Sequence, residues 1–197
     1  MDTIEPIKRL AEKATGIGVP SKEEALSSVR RVRPLKMKFK DDGYIPNSKW
    51  PLIAYRKAVA LRKGDPAALM ETIFQANGWG DCWRNGVYDY VHYHSGIHEA
   101  LGVARGSAWL RLGGNKGESL KVFAGDVLVV PAGVGHECLE AAKDFLVVGA
   151  YPPTGTYDEC RGSFQERDAA RKSVAKVKVP AKDPLFGADG GLRLIWT

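Results

Sequence analysis

The chain is poor in cysteine and has no long apolar segment. Its three cysteines, Cys82, Cys138 and Cys160, are odd in number and widely spaced, which argues against a disulfide framework. No apolar run reaches the roughly 18 residues that a membrane-spanning helix requires, and the first sixteen residues lack the apolar centre of a signal peptide. These absences predict a cytoplasmic protein with no membrane partner.

Common catalytic and phosphate-binding motifs are also absent. There is no Gly-x-Ser-x-Gly of the serine hydrolases, and GVARGSA and GADGGL do not match the spacing of phosphate-binding loops. The net charge is +6, and RRVRPLKMKFK (30–40) holds six basic residues. Leu35, Met37 and Phe39 alternate with its lysines, which is typical of a strand with a basic outer face. Because no nucleic-acid-binding motif accompanies this stretch, we predict no nucleic-acid partner.

Residues 1–33 are predicted to form an N-terminal helix and a linker. Apolar side chains follow helical spacing in MDTIEPIKRLAEKATG, and Gly16 marks the expected end of the helix. The residues with this spacing are Ile4, Ile7, Leu10 and Ala11. A short helix is expected after Ser21.

Residues 34–152 are predicted to form the central domain, which contains one helix at about 66–77. Asp65 can cap that helix, Pro66 suits its first turn and Gly78 suits its end. Its buried face is expected to comprise Leu69, Ile73 and Phe74.

From residue 88 onwards the apolar pattern has a period of two. Short runs follow one another, namely YDYVHYH, EALGVARG, SAWLRLG, SLKVF, DVLVVP and DFLVVGAY, with a glycine-rich turn at 113–118. Many short strands at close spacing predict a mainly β fold, an antiparallel sandwich or barrel. Residues 153–197 are expected to be an irregular C-terminal extension that packs on it, with some helical character at 165–179.

Three of the four histidines lie in HYHSGIHE (92–99). Side chains alternate along a strand, so His92 and His94 point the same way, and Tyr88 and Tyr90 share their face. Glu99 follows a bend. Two imidazoles and one carboxylate that face one cavity can bind a divalent metal ion.

The remaining histidine, His136, follows the strand that ends in VVPAG and can supply a fourth ligand. If Glu99 faces inward, Leu101 and Val103 do so as well, since they lie two and four residues further on. The alternative for the four polar residues is a hydrogen-bonded core without metal. A buried unpaired carboxylate is costly, which favours the metal.

The spacing of these residues resembles the two motifs of the cupins. Gly86 is followed by five residues, His92-Tyr93-His94, four residues, Glu99, six residues and Gly106. Eighteen residues further on, Gly125 is followed by five residues, Pro131-Ala132-Gly133, two residues and His136. Both motifs at full spacing and in the right order are a specific signal.

The resemblance implies a single jelly-roll β-barrel that holds one divalent metal ion through His92, His94, Glu99 and His136. Cupins bind iron, manganese, nickel, zinc or copper with such ligands, so the metal is not distinguished. The second motif often ends in asparagine, where this chain has Glu140; that position is usually no ligand. Family precedent also implies a homodimer, with the basic strand or the C-terminal tail crossing to the partner.

A closer resemblance covers nearly the whole chain. The segments DDGYIPN, NGWGDCWRNGVYDYVHYHS, HEALGVARGSA, PAGVGH, VVGAYPP and DPLFG look like the YjlB-like cupins. That group largely lacks an assigned reaction, so the resemblance supports the fold and the metal site and says little about the substrate.

Each residue beside the ligands has either a catalytic or a structural role. Tyr88, Tyr90 and Arg84 are the catalytic candidates, because a phenol near a metal can donate a proton and GWGDCWRNG can line the barrel mouth. The structural alternative for the tyrosines is a hydrogen-bonded core, and for Trp79, Trp83 and Arg84 it is coverage of the core edge. Cys138 can face the cavity, but a buried apolar role is favoured. His98 neighbours Glu99, so we expect it in an outward or loop position.

Three classes of function remain open. The first is a metal-dependent enzyme on a small chelating substrate: a dioxygenase with Fe(II), or an isomerase, decarboxylase or hydrolase with a Lewis-acid metal. The second is a module that binds a metal and a small ligand without turnover. The third, a structural or storage role, makes the ligands dispensable, and their complete presence argues against it.

Overall fold

The computed structural model describes residues 4–61 and 64–197, so residues 1–3 of the predicted N-terminal region lie outside the described part. The helices in these ranges are α1 Ile4–Thr15, α2 Lys22–Ser27, α3 Pro66–Ala76, α4 Phe164–Val174 and α5 Gly191–Ile195. The strands are β1 Leu35–Met37, β2 Leu52–Tyr55, β3 Gly80–Asn85, β4 Glu99–Arg105, β5 Ser107–Leu112, β6 Glu118–Phe123, β7 Val127–Val130, β8 His136–Ala141 and β9 Leu146–Tyr151. No helix in these ranges is long and apolar enough to cross a membrane.

The strands form two antiparallel sheets. The larger has six strands in the order β1-β2-β7-β4-β9-β3, and the smaller has three in the order β6-β5-β8. Within the described residues neither sheet closes on itself, so the architecture is a two-sheet sandwich. The predicted mainly β fold is confirmed.

Alternation along the strands separates two apolar cores. In β7, Leu128 and Val130 belong to the core between the sheets, whereas Val127 and Val129 belong to the core that α3 covers. The predicted buried face of α3 is confirmed, with Leu69, Ile73 and Phe74 all buried. Because α3 covers the outer face of the large sheet, its central strands are apolar on both sides.

Helix α3 begins and ends where its sequence predicts. The Asp65 carboxylate accepts a hydrogen bond from the backbone N–H of Ala67 at 3.0 Å, and Pro66 occupies the first turn. Gly78 follows the helix with a φ of +80°, a conformation that favours glycine.

Helix α1 forms as predicted, but its apolar stripe faces outward. Ile7 and Leu10 are 71% and 70% exposed, whereas Glu5 and Glu12 are buried. The acidic face is buried because it binds Arg84 of β3, at 3.0 Å for Glu5 and 2.8 Å for Glu12. An ion cluster thus decides how this helix docks.

In two stretches the regular β-strand is shorter than the sequence predicts. The run 88–94 is no continuous strand; it makes isolated bridges of His92 with His136 and of Tyr93 with Cys160. The basic stretch forms only the short β1. Met37 and Phe39 are buried between exposed lysines as expected, but Leu35 is exposed.

The C-terminal extension packs on the sandwich and is more regular than predicted, since it contains α4 and α5. The Asp183 carboxylate is fully buried. It accepts hydrogen bonds from the hydroxyl of Tyr55 at 2.5 Å and from the backbone N–H of Leu192 at 3.0 Å. The extension therefore belongs to the folded core.

Candidate metal centre

Backbone pairing places two of the histidines side by side. His92 and His136 exchange both backbone hydrogen bonds, at 3.2 and 2.9 Å, and their ring centroids lie 4.1 Å apart. His136 begins β8, so the small sheet fixes this pair.

The turn around Pro131 and Gly133 positions the third imidazole. The backbone N–H of Gly133 donates to the carbonyl of His94 at 2.8 Å. Gly133 has a φ of +90°, and a Cβ there would lie 2.7 Å from the carbonyl oxygen of Asn47. Glycine is therefore required for the close approach that holds the His94 backbone.

All three imidazoles turn Nδ1 toward a backbone carbonyl. His92 Nδ1 lies 3.4 Å from Tyr90 O, His136 Nδ1 lies 3.1 Å from Val134 O, and His94 Nδ1 contacts Asp158 O. A carbonyl only accepts, so these contacts place the proton on Nδ1 and leave the Nε2 lone pair free. One ligand atom from each ring lies within 4.8 Å of the other two. This is the arrangement by which histidines bind a metal.

The Glu99 carboxylate completes the group at the start of β4. Its Oε2 lies 3.5 Å from His94 Nε2 and 3.3 Å from His136 Nε2. The side chain is 2% exposed, and Oε2 has no hydrogen-bond partner in the described structure. A buried carboxylate oxygen without a partner is costly. A divalent cation among these four residues would satisfy it.

The surroundings favour the metal-binding protonation state at His92 and Glu99, whereas at His94 burial lowers the pKa but Glu99 more than offsets this and raises it above its ordinary value. Burial and the nearby His136 lower the pKa of His92 to about 3. Burial raises the pKa of Glu99, but His136 and His94 more than offset this and lower it below its ordinary value. At neutral pH His92 is therefore neutral and Glu99 is ionised, as metal ligands must be.

A cavity of about 340 Å³ opens above the four residues. Its walls are mostly aromatic and aliphatic. The residues around it are Trp83, Arg84, Asn85, Gly86, Val87, Tyr88, His92, His94, Glu99, Leu101, His136, Tyr151 and Tyr157. This volume lies at the lower end of the range for small-molecule sites.

The two candidate tyrosines are placed differently. Tyr88 lines the cavity, with its ring centroid 5.1 Å from that of His92. The Tyr90 hydroxyl accepts a hydrogen bond from Arg161 at 3.0 Å and lies 3.3 Å from Glu159. Tyr90 is not among the residues that line the cavity. Of the two, only Tyr88 is positioned to meet a ligand.

The third catalytic candidate, Arg84, borders the cavity, but its guanidinium group binds elsewhere. Nη1 donates to Glu5 at 3.0 Å and to Asp65 at 2.9 Å, while Nη2 donates to Glu12 and Glu71, both at 2.8 Å. The side chain is 2% exposed. These carboxylates occupy both terminal nitrogens, so Arg84 is placed as the centre of a structural ion cluster.

The remaining residues have structural contacts. His98 lies just before β4 and away from the metal group, as expected, but it is buried rather than outward-facing. The Trp79 indole is buried and donates to Lys182 O at 2.9 Å. Cys138 packs at the edge of the core between the sheets, which agrees with the favoured apolar role.

Three site residues from the last quarter of the chain are missing from the sequence prediction. Asp158 contacts His94, and Tyr151 and Tyr157 line the cavity. Tyr151 ends β9 beside β4, and the period of two along LVVGAY is the one signal that could have placed it. Asp158 and Tyr157 lie in a loop, which has no such pattern.

Comparison with known proteins agrees with this picture. No family model matches the chain. The chain is 40% identical over 159 residues to the uncharacterised protein YjlB of Bacillus subtilis strain 168, covering 80% of this chain and 93% of YjlB. The chain belongs to the YjlB-like cupins. The predicted resemblance is thereby confirmed.

Solved structures give weaker likenesses to this YjlB-like cupin. An acireductone dioxygenase from Bacillus anthracis with a cadmium ion in its active centre has 15% identity and a TM-score of 0.31, over 44% of this chain and 59% of that one. An oxalate decarboxylase variant of Bacillus subtilis has 18% identity and a TM-score of 0.33, over 59% and 29%.

Proposed function

We propose that this cupin binds one divalent metal ion through His92, His94, Glu99 and His136 and acts on a small chelating organic substrate. Oxygenation is the favoured reaction. The observation that carries the proposal is a group of three buried imidazoles, two of which bring Nε2 within 3.5 Å of a Glu99 carboxylate oxygen that has no hydrogen-bond partner in the described structure. This donor set suits iron, manganese, nickel, zinc and copper.

A bound ion would supply Lewis-acid activation of the substrate and, if redox-active, chemistry with O₂. The chain's own residues would provide the rest. Backbone carbonyls orient the rings, and Glu99 reduces the charge of a divalent ion from +2 to +1. The four ligand residues are themselves buried, which strengthens the electrostatic interactions among them. A Lewis-acid isomerase or lyase uses the same features without O₂.

The first experiment is elemental analysis of the purified protein, followed by anaerobic Fe(II) loading and measurement of O₂ uptake. We expect about one metal ion per chain and O₂ uptake that depends on a chelating substrate. Metal without O₂ uptake would favour the Lewis-acid reactions. A protein that takes up no metal after reloading would contradict the proposal.

Matched variants test the ligand assignment. His94→Ala should lose most of the bound metal while its circular dichroism spectrum is unchanged, because the change removes one ligand ring that borders the cavity. Tyr90→Phe is the control: it lies in the same stretch, and its hydroxyl contacts Arg161 outside the cavity. Full metal content in His94→Ala would contradict the assignment.

A further inference from the structure

We infer that the cavity above the metal centre selects a planar, ring-bearing chelator that carries at most one negative charge, and that it disfavours small dicarboxylates such as oxalate. This inference rests on the proposed function, since the chelating groups would meet the ion. It adds the class of substrate, which the four ligands alone do not determine.

Aromatic rings surround the space that a ligand would occupy. Tyr157 lies with its ring centroid 4.9 Å from that of His94 and 5.5 Å from that of Tyr151. The ring of Tyr88 lies beside that of His92, with the centroids 5.1 Å apart. Ring faces and edges at such separations favour another flat ring in offset or edge-to-face contact. A small acyclic chelator would leave most of this surface without contact.

The ring of Trp83 is held in the wall by specific contacts. Its Nε1 donates to the hydroxyl of Tyr151 at 3.0 Å. The indole lies directly on Gly149, its partner on β9, so that a Cβ at residue 149 would collide with the ring. The absence of a side chain at Gly149 therefore creates the place for the indole. A wall fixed in this way is pre-organised, which lowers the entropic cost of ligand binding.

The charges around the cavity disfavour a dianion. Glu99 leaves a divalent ion with a net charge of +1, so a monoanionic ligand would give a neutral site and a dianion a net charge of −1. Arg84 is the one lysine or arginine among the described residues that border the cavity, and four carboxylates already bind it. Arg161 lies over the Tyr90 ring and is paired with Glu159. A buried net charge without a counter-ion is costly.

The test measures binding to the zinc-loaded protein by isothermal titration calorimetry, since zinc has no redox chemistry. Three chelating probes separate the effect of an aromatic ring on affinity from the effect of the probe's net charge. Tropolone is a planar monoanion with a ring, acetohydroxamate is a monoanion without a ring, and oxalate is a dianion without a ring. Each is titrated into zinc-loaded and metal-free protein, and the zinc content is measured before and after each titration.

We expect tropolone to bind the zinc-loaded protein more tightly than oxalate. Trp83→Leu should weaken tropolone binding about tenfold while changing acetohydroxamate binding less than about twofold, because only tropolone contacts the ring. Trp83→Phe, which keeps a ring, should retain most of the tropolone affinity. Tyr157→Ala should act like Trp83→Leu, and Tyr157 is 53% exposed, so the fold tolerates its removal.

Two results would overturn the inference alone: oxalate binding more tightly than tropolone, or Trp83→Leu and Tyr157→Ala weakening all probes equally. Failure of the wild-type protein to retain zinc would instead overturn the proposed function and the inference with it. The zinc measurement thus separates the two failures.

Discussion

At the scale of single residues, the partners of the imidazoles decide which nitrogen can bind a metal. The Asp158 carboxylate fixes the Ser95-Gly96 turn, accepting from the backbone N–H of Ser95 at 2.7 Å and of Gly96 at 3.2 Å. The carbonyl of the same Asp158 contacts His94 Nδ1. Asp158 is thus a positioning residue that acts on the site through His94.

We expect Asp158→Ala to weaken metal binding about 10- to 100-fold, the usual effect of removing a group that orients a ligand. Competition with a chromophoric chelator measures this. Asp158→Asn, which keeps one acceptor oxygen, should recover part of the affinity. Equal affinity in the alanine variant and the wild type would contradict the role.

The same residues mark what the sequence can and cannot predict about the site. His92, His94, Glu99 and His136 are identified by motif spacing, and the structure brings them together. Asp158 is missed because it acts through a backbone carbonyl and a turn 63 residues away, and neither depends on a recognisable motif. Hydrogen bonds made by loops are set by the folded chain, not by local periodicity.

At the scale of elements, a buried ion cluster docks α1 on β3 and α3. Four carboxylates surround the Arg84 guanidinium, and the neighbouring cations Lys8, Arg9 and Arg105 each pair with one of them. Burial and the neighbouring Asp65 raise the pKa of Glu12. Removing the central cation would leave buried carboxylates without compensation.

Arg84→Met should therefore lower the free energy of unfolding by about 3–5 kcal/mol, measured by urea unfolding. It should also increase hydrogen exchange in α1, while the metal content stays the same. Lys8→Met is the matched control. Its side chain is 39% exposed, so the expected loss is at most about 1 kcal/mol. An equal loss in the two variants would argue against the cluster as the docking contact.

Local periodicity predicts that α1 forms but not which face it buries. The stripe with Ile7 and Leu10 has the spacing of a buried face, yet Glu5 and Glu12 are buried instead. Only the position of Arg84, some 70 residues away, explains the choice. Likewise, the run 88–94 alternates like a strand, but it lies between two different partners, His136 and Cys160.

The predicted homodimer stays a prediction.

At the scale of the whole molecule, His98 joins the turn at Ala132 to the C-terminal extension. Its Nδ1 accepts from the backbone N–H of Ala132 at 2.9 Å, and its Nε2 lies 3.2 Å from Lys178 O. The ring also lies 4.8 Å, centroid to centroid, from Trp196. One ring nitrogen accepts and the other donates, so only the neutral ring satisfies both contacts. Burial lowers the pKa of His98 to about 4.

The stability of the protein should therefore fall on acidification through the pH range between 6.5 and 4. In this range the unfolded chain binds a proton at His98, with an ordinary pKa of about 6.5, and the folded chain does not. Neutral His98 makes its full contribution to the free energy of unfolding above pH 6.5, and about 3 kcal/mol of this contribution is lost by pH 4. His98→Gln keeps a donor and an acceptor but does not titrate. Urea unfolding of both metal-free proteins should give curves against pH that converge as the pH falls, because only the wild type loses the contribution of His98. His92 titrates in both proteins and leaves their difference unchanged. Parallel curves would show that His98 does not couple the extension to the fold.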